Sequence, residues 1–263
     1  MTVNMHSLSF GWPPRRLRRV VNTSRGRSTR RAEPANGHGN AQRDRIRLTA
    51  VRLFTINGYA GTSMKQLANE LGMVPANVYN YYPNKQSILF EVLSHQLASL
   101  IERDKAIVAE HAEPVPRMHA LLHDLVVEDL HDPQAAFVGQ HGLNGLSGPA
   151  RERVSQLMAE VRQIWLTTVQ DGVASGDFDT PDPKLSTLTI LSLCSSTSKW
   201  FDPNGEYTAE EVADHTAAKA LRGLGYSTPL PATKRARAKQ SFVAMPKGRA
   251  AATGKRRSAT KSR

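Results

Sequence analysis

The stretch RDRIRLTAVRLFTINGYAGTSMKQLANELGMVPANVYNYYPNKQSI, residues 43–88, decides the fold. Ile46, Ala50, Val51, Leu53 and Phe54 recur at helical spacing, and Asn57-Gly58 supplies a left-handed stop. A second helix follows, capped by Thr62 or Ser63, with Ser63 and Gln66 in capping-box register. Met64, Leu67, Ala68 and Leu71 form its single apolar stripe, and Gly72 ends it. Pro75 suits the first turn of a third helix, where its missing N–H costs nothing. Pro83 cannot continue that helix and restricts Tyr82, so the spacing predicts a short helix over Pro75–Tyr82. Asn84 then caps a fourth helix running towards Ala109. Two helices joined by a tight glycine-containing turn are a helix-turn-helix pattern.

The third helix carries the functional signal. Ala76, Asn77, Tyr79, Asn80 and Tyr81 are small or hydrogen-bonding, and only Val78 and Tyr82 suit burial. So short a helix must lean on its neighbours. Its outer face is then free to meet base edges in a major groove, where asparagine pairs bidentately with adenine. Lys85 opens the fourth helix, where a cation opposes the helix dipole unless an anion sits nearby. A DNA phosphate would be such an anion. Thr62, Ser63 and Lys65, at the start of the second helix, are expected to reach phosphate similarly, and Pro75 places the third helix in the groove.

The segment AVRLFTINGYAGTSMKQLANELGMVPANVYNYYPNKQSIL resembles the DNA-binding domain of tetracycline-repressor (TetR) family regulators over nearly its whole length. The resemblance implies that Tyr79 is the family's recurrent recognition-helix tyrosine, Lys85 its phosphate-facing lysine and Thr62 its second-helix threonine. Ala76-Asn77 stand where glycine and serine are frequent, Asn80 where an aromatic or basic residue is, and Tyr81 where histidine is. Those departures leave the operator sequence open. The family implies an all-helical homodimer with a carboxy-terminal ligand-binding domain.

Charge is unevenly placed along the 263 residues. Residues 1–42 hold eight arginines against one glutamate, and residues 230–263 hold eleven Lys and Arg with no acid, so the net +12 belongs to the ends and the body is mildly acidic. Both ends lack periodic apolar residues and are expected to be disordered basic tails, 1–42 and 227–263. Two readings fit them: non-specific phosphate binding that steepens salt dependence, or solvated tails, the amino-terminal one also compatible with an upstream start. Arg15, Arg16, Arg18 and Arg19 lead into no apolar run, so no secretory signal is expected, and nothing is apolar for long enough to span a membrane.

From Pro114 to Gly225 the pattern stays helical. Helices are predicted over Val115–Leu130, Pro133–Leu146, Ala150–Val173 (closed by Gly172 and Gly176), Lys184–Phe201, and from Thr208 to about Arg222, with Glu211 in capping-box register. The segments SGDFDTPDPKLSTL and KWFDPNGEYTAEEVADHTAAKALRGLG resemble, more loosely, the carboxy-terminal domain of a TetR branch linked to lipid or steroid catabolism. That resemblance implies an acyl-CoA-like effector. It also implies a four-helix dimer interface built by Lys184–Phe201 and Thr208–Arg222. Ser186, Thr187, Ser192, Ser195 and Ser196 would keep the former slim, or simply bond their own backbone inside a buried helix.

His119 and His123 lie four apart with Asp124 and Glu128 nearby, a spacing able to chelate zinc, but no HExxH accompanies them and no metal is expected. His123, His141, Asn144 and Trp165 are the expected ligand-pocket residues, while His131 and Gln140 either join them or cap helix ends. Cys194, the single cysteine, reads as a buried inert thiol. No glycine-rich phosphate loop or nucleophile elbow appears; no catalytic residue or cofactor is expected, and the chain is not expected to be an enzyme.

The sequence therefore predicts an all-α chain: a helix-turn-helix DNA-binding domain over 43–90, a helical ligand-binding and dimerisation domain over 91–226, and the two tails. Its expected partners are operator DNA, a second copy of itself and a small hydrophobic effector, in a bacterial cytoplasm. A non-specific nucleoid-associated protein acting through its tails is the competing reading.

Overall fold

A computed structural model describes residues 36–227. Most of the residues expected in the two tails lie outside that range. The described residues fold as nine α-helices linked by short turns, with two 3-10 segments and no strand among them. α1 (Asn36–Gly61), α2 (Met64–Glu70) and α3 (Pro75–Tyr79) form the head. α4 (Lys85–Glu110) leaves it and runs about 39 Å, at 1.5 Å per residue, into the body. α5 (Pro114–His131), α6 (Pro133–His141), α7 (Gly148–Ser175), α8 (Pro183–Ser196) and α9 (Ala209–Gly223) complete the body.

Side-chain burial separates two cores. The head core gathers Ile46, Ala50 and Phe54 of α1, Leu67 and Ala68 of α2, Val78, Tyr82, and Ile88, Leu89 and Val92 of α4, closed from the body side by Val138, Leu146 and Val154. The body core is built around α5, whose Met118, Leu121, Leu122 and Val126 are fully buried, with Trp165 and Val169 of α7 and Ala213, Ala217 and Leu221 of α9. Leu97 of α4 packs against both cores, so α4 is the mechanical link between them. Arg117 pins the start of α5 to α7 through Asp171 at 2.6 Å and holds the carbonyls of His111 and Ala112.

Several boundaries differ from the sequence pattern, each for a physical reason. α1 begins at Asn36, inside the segment read as tail: Gln42 donates to the Met73 sulfur, and Arg43 lies over the Tyr82 ring, so the first turns dock on the head. Gly58 breaks α1 with φ 72 and ψ 159, as the Asn-Gly pair requires. α3 stops at Tyr79; Asn80 forms its C-cap, and Tyr81 and Tyr82 turn back onto the Val78 carbonyl ahead of Pro83. α6 ends at His141 and gives way to a 3-10 turn, Gly142–Gly145, because Leu89, Leu93 and Tyr59 press against it and a Cβ at Gly145 would meet Tyr59 at 2.6 Å. Gly172 does not close α7. It lies inside the helix and leaves room for Phe178, whose ring a Cβ would meet at 2.1 Å, and Gly176 (φ 81) makes the stop. α8 ends at Ser196, followed by a 3-10 turn, Thr197–Lys199, whose Thr197 hydroxyl bonds the Cys194 carbonyl. The hydroxyls of Thr187, Thr189, Ser192 and Ser196 likewise bond α8 carbonyls three or four residues back.

Candidate nucleic-acid interface

α2 is set by its cap. Ser63 Oγ accepts from the Gln66 N–H at 3.1 Å while the Ser63 N–H donates to Gln66 Oε1 at 2.7 Å, closing the capping box. Leu67 and Ala68 turn into the head core, leaving Ser63 and Lys65 exposed. Among the described residues Lys65 has no ion-pair partner. α3 sits one turn away on the same side. It buries Val78 completely, and Tyr82 beyond its end is 2% exposed. Pro75, Ala76, Asn77, Tyr79 and Asn80 face solvent, with Tyr81 half-buried. Tyr79 is 51% exposed, a large aromatic that the subunit itself leaves uncovered, and Val74 ahead of α3 is exposed too.

The exposed face is held still by a clasp behind it. The Tyr82 hydroxyl donates to Glu91 of α4 at 2.7 Å; Arg43 of α1 lies 5.2 Å from the Tyr82 ring centroid and pairs with Glu91 at 3.2 Å. Burial first, and the neighbouring Glu91 second, push the Tyr82 phenol well above its ordinary range, so it remains a donor. One tyrosine thereby ties the end of α3 to both α1 and α4. Sequence reading assigned Tyr82 to the core but gave no sign of Arg43 and Glu91, which lie 39 and 9 residues away in the chain.

Two residues expected at phosphate are turned inward. Thr62 is 3% exposed, and its hydroxyl donates to the carbonyls of Gly58 at 2.9 Å and Leu53 at 3.2 Å. Lys85 directs its ammonium to the carbonyls of Tyr59 at 2.5 Å, Thr62 at 2.6 Å and Ala60 at 3.4 Å, and lies 4.4 Å from the Tyr59 ring centroid. Burial lowers its pKa. The carbonyl ends after the α1 break thus supply the negative partner that a cation at the start of α4 needs, without any phosphate. Both side chains fix the turn between α1 and α2.

The body holds a cavity of about 460 Å³ between α1, α4, α5 and α6, with α7 and Ser195 of α8 at its edge. None of the four residues expected in a ligand pocket lines it. His123 faces α9, 3.7 Å from Asp214, and stacks on His119 with centroids 6.2 Å apart. His141 is exposed and packs on Phe137, Asn144 is exposed, and Trp165 is wholly buried. Gln140 does line the cavity, donating to the Ser195 carbonyl at 3.0 Å. The Trp165 indole N–H donates to Asp104 at 2.9 Å; Asp104 is itself fully buried, its other oxygen has no hydrogen-bond partner among the described residues, and burial pushes its carboxyl up to about 7. Cys194 is fully buried and its thiol is pushed up to about 12, chiefly by desolvation. No group of three or more His, Cys, Asp or Glu among the described residues is placed to hold a metal ion, and no described helix is long and apolar enough to cross a membrane.

A head that displays a short polar helix, joined through one long helix to a cavity-bearing helical body, is the architecture of a helix-turn-helix regulator. Residues 46–92 match the model of the bacterial regulatory proteins of the tetR family, and residues 111–224 match that of the tetracyclin repressor-like C-terminal domain. The chain belongs to the TetR family. It is similar to the HTH-type transcriptional repressor KstR2 of Mycolicibacterium smegmatis, at 24% identity over 71% of this chain and 92% of that one. Among solved structures it resembles a tetR-family regulatory protein from Rhodococcus RHA1, at 25% identity over 71% of this chain and 98% of that one, with a TM-score of 0.67. It also shares the fold of AibR, solved in complex with isovaleryl coenzyme A and operator DNA, at 24% identity over 68% of this chain and 97% of that one, with a TM-score of 0.64.

Proposed function

We propose that this chain is a sequence-specific, ligand-responsive transcriptional repressor that binds operator DNA as a homodimer in the bacterial cytoplasm. The observation that carries the reading is the α3 face: Ala76, Asn77, Tyr79 and Asn80 are exposed on a helix whose only buried residue is Val78. Those side chains touch base edges, while Ser63 and Lys65 at the start of α2 meet phosphate. Dimerisation is supported by α8, which exposes Leu185 (60%), Leu188 and Leu193 along a face that the subunit leaves bare, continued by Trp200 and Tyr207. Two copies joined there would present two recognition helices to successive major grooves, about 34–36 Å apart or a multiple of it. A hydrophobic small molecule in the body would bind one spacing of the heads better than the other and so release DNA. An acyl-CoA-like effector is the class the branch resemblance implies, and no cofactor or catalytic step is part of the reading.

Selection of bound fragments from genomic DNA tests it. A regulator enriches a small set of fragments sharing one motif, and the double substitution Tyr79→Ala, Asn80→Ala abolishes that enrichment. Deletion of residues 230–263 leaves the motif in place and lowers affinity for all sequences together. A non-specific nucleoid protein would give the reverse, enriching no motif and losing nearly all binding with the basic segment.

A further inference from the structure

The charged residues lining the cavity are not balanced. Arg47 is paired with Asp44 at 3.1 Å, and Arg103 is held by Asp124 at 2.7 Å and by Ser99 at 3.0 Å. Asp132 serves as the cap of α6, accepting from the Ala135 N–H at 2.9 Å. Glu128 is exposed and keeps its hydration. Asp129 is different. Half-buried on α5, it lines the cavity, and among the described residues it has no hydrogen-bond or ion-pair partner. The same wall carries apolar surface from Leu97, Leu100 and Leu125, interrupted by polar side chains that include His95, Gln96 and Gln140. An unpaired, partly desolvated carboxylate is a standing cost to the fold that a cation at hydrogen-bond distance removes.

We infer, resting on the regulator reading above, that the cavity takes a hydrophobic molecule bearing a protonated amine, its head at Asp129 and its apolar part along the leucines. The size suits one small ligand. Arg103 is held by Asp124 and Ser99 and forms no ion pair with Asp129, and burial pushes the Asp129 carboxyl up to about 6. An amine departs from the acyl-CoA-like class that the branch resemblance implies: acyl-CoA phosphates would find the Arg47 and Arg103 guanidiniums engaged by Asp44 and Asp124 and an unpaired, half-buried carboxylate repelling them. The cavity is also walled by Arg47, Leu48 and Val51 of α1, so its occupant touches the head directly as well as through α4.

Calorimetry on the full chain with submicellar decylamine, decanol, decanoate and decanoyl-CoA decides the matter. Decylamine binds at least roughly tenfold more tightly than decanoate or decanoyl-CoA, a difference of one charge contact. Asp129→Asn, which keeps the shape and removes the charge, abolishes that preference. Ala136→Leu, which fills the cavity and alters no charge, loses decylamine while retaining the helical circular dichroism of the parent. The inference fails if decylamine does not bind, if an anionic probe binds as tightly, or if the preference survives in Asp129→Asn. A genomic duplex from the selection separates this failure from that of the regulator reading. Decylamine that binds yet leaves the duplex bound defeats ligand-responsive release and keeps the cavity assignment, whereas decanoyl-CoA that releases the duplex while decylamine does not bind does the opposite.

Discussion

The head and the body of this molecule solve opposite problems. The head must keep a short polar helix rigid while leaving its outer face bare. It does so with polar fastenings at the rim: the Ser63–Gln66 box, the Lys85 ammonium across three carbonyls, and Tyr82 between Arg43 and Glu91. The body surrounds a central helix with apolar contacts and places few polar groups inside. Among those it does bury, Asp104 and the Trp165 indole bond each other, Arg117 is held by Asp171, and Thr168, Thr187 and Thr197 bond carbonyls three or four residues back. Changes in the head should therefore act mainly on DNA binding through geometry, and changes in the body on global stability.

The largest expected effect is in the body. Trp165→Ala removes the largest fully buried side chain and orphans Asp104, costing about 3–5 kcal/mol in chemical denaturation. If the loss is under about 1 kcal/mol, the body core is not the main source of stability and the contrast with the head collapses. Asp104→Asn sharpens the same point through pH. The folded carboxyl is raised to about 7 against an unfolded value of about 3.9, so the stability of the acid form is present below about pH 4 and is lost as pH rises through 7. The amide that replaces the carboxyl keeps an acceptor for Trp165 and has no charge to bury. The variant should thus melt higher than the parent at pH 8, with a gap that narrows as pH falls and closes only near pH 4. A gap independent of pH would mean Asp104 does not titrate there.

The head was far more legible in sequence than the body, and the reason is local. Caps, prolines and stop glycines act over three or four residues, so the α2 box, the Asn84 cap and the exposed α3 face follow from adjacent letters. Where Lys85 and Thr62 point does not follow, because their acceptors are carbonyls released by the break at Gly58. In the body, α5 buries Met118, Leu121, Leu122, Leu125 and Val126, and its polar residues are divided between α9, α4 and the cavity, so residue type alone does not pick the pocket. His123 stood out by residue type and faces α9, while Asp129, six residues on, meets the cavity.

Lys85→Met tests the head's fastening directly. Leaving the Tyr59, Ala60 and Thr62 carbonyls without their donor should cost about 1–3 kcal/mol and lower operator affinity. The slope of log affinity against log salt should stay unchanged, because no phosphate contact is removed. A slope shallower by about 0.9 would instead place Lys85 on phosphate in the complex.

The smallest effect comes from two matched caps. Ser63→Ala and Thr208→Ala each break a capping box of the same geometry, one opening α2 and one opening α9, at a cost of about 1 kcal/mol. Their consequences should diverge. α2 has only seven residues, of which Leu67 and Ala68 are buried, so losing the cap frays the turn that carries Lys65 and sets α3, and operator affinity falls several-fold. α9 has fifteen residues, with Val212, Ala213, Thr216, Ala217, Ala220 and Leu221 buried, so it absorbs the same loss without moving. Thr208→Ala should thus lower the melting temperature slightly and leave DNA binding intact. Equal effects of the two substitutions on DNA binding would mean that the head owes its rigidity to the body's packing and that its rim fastenings are incidental.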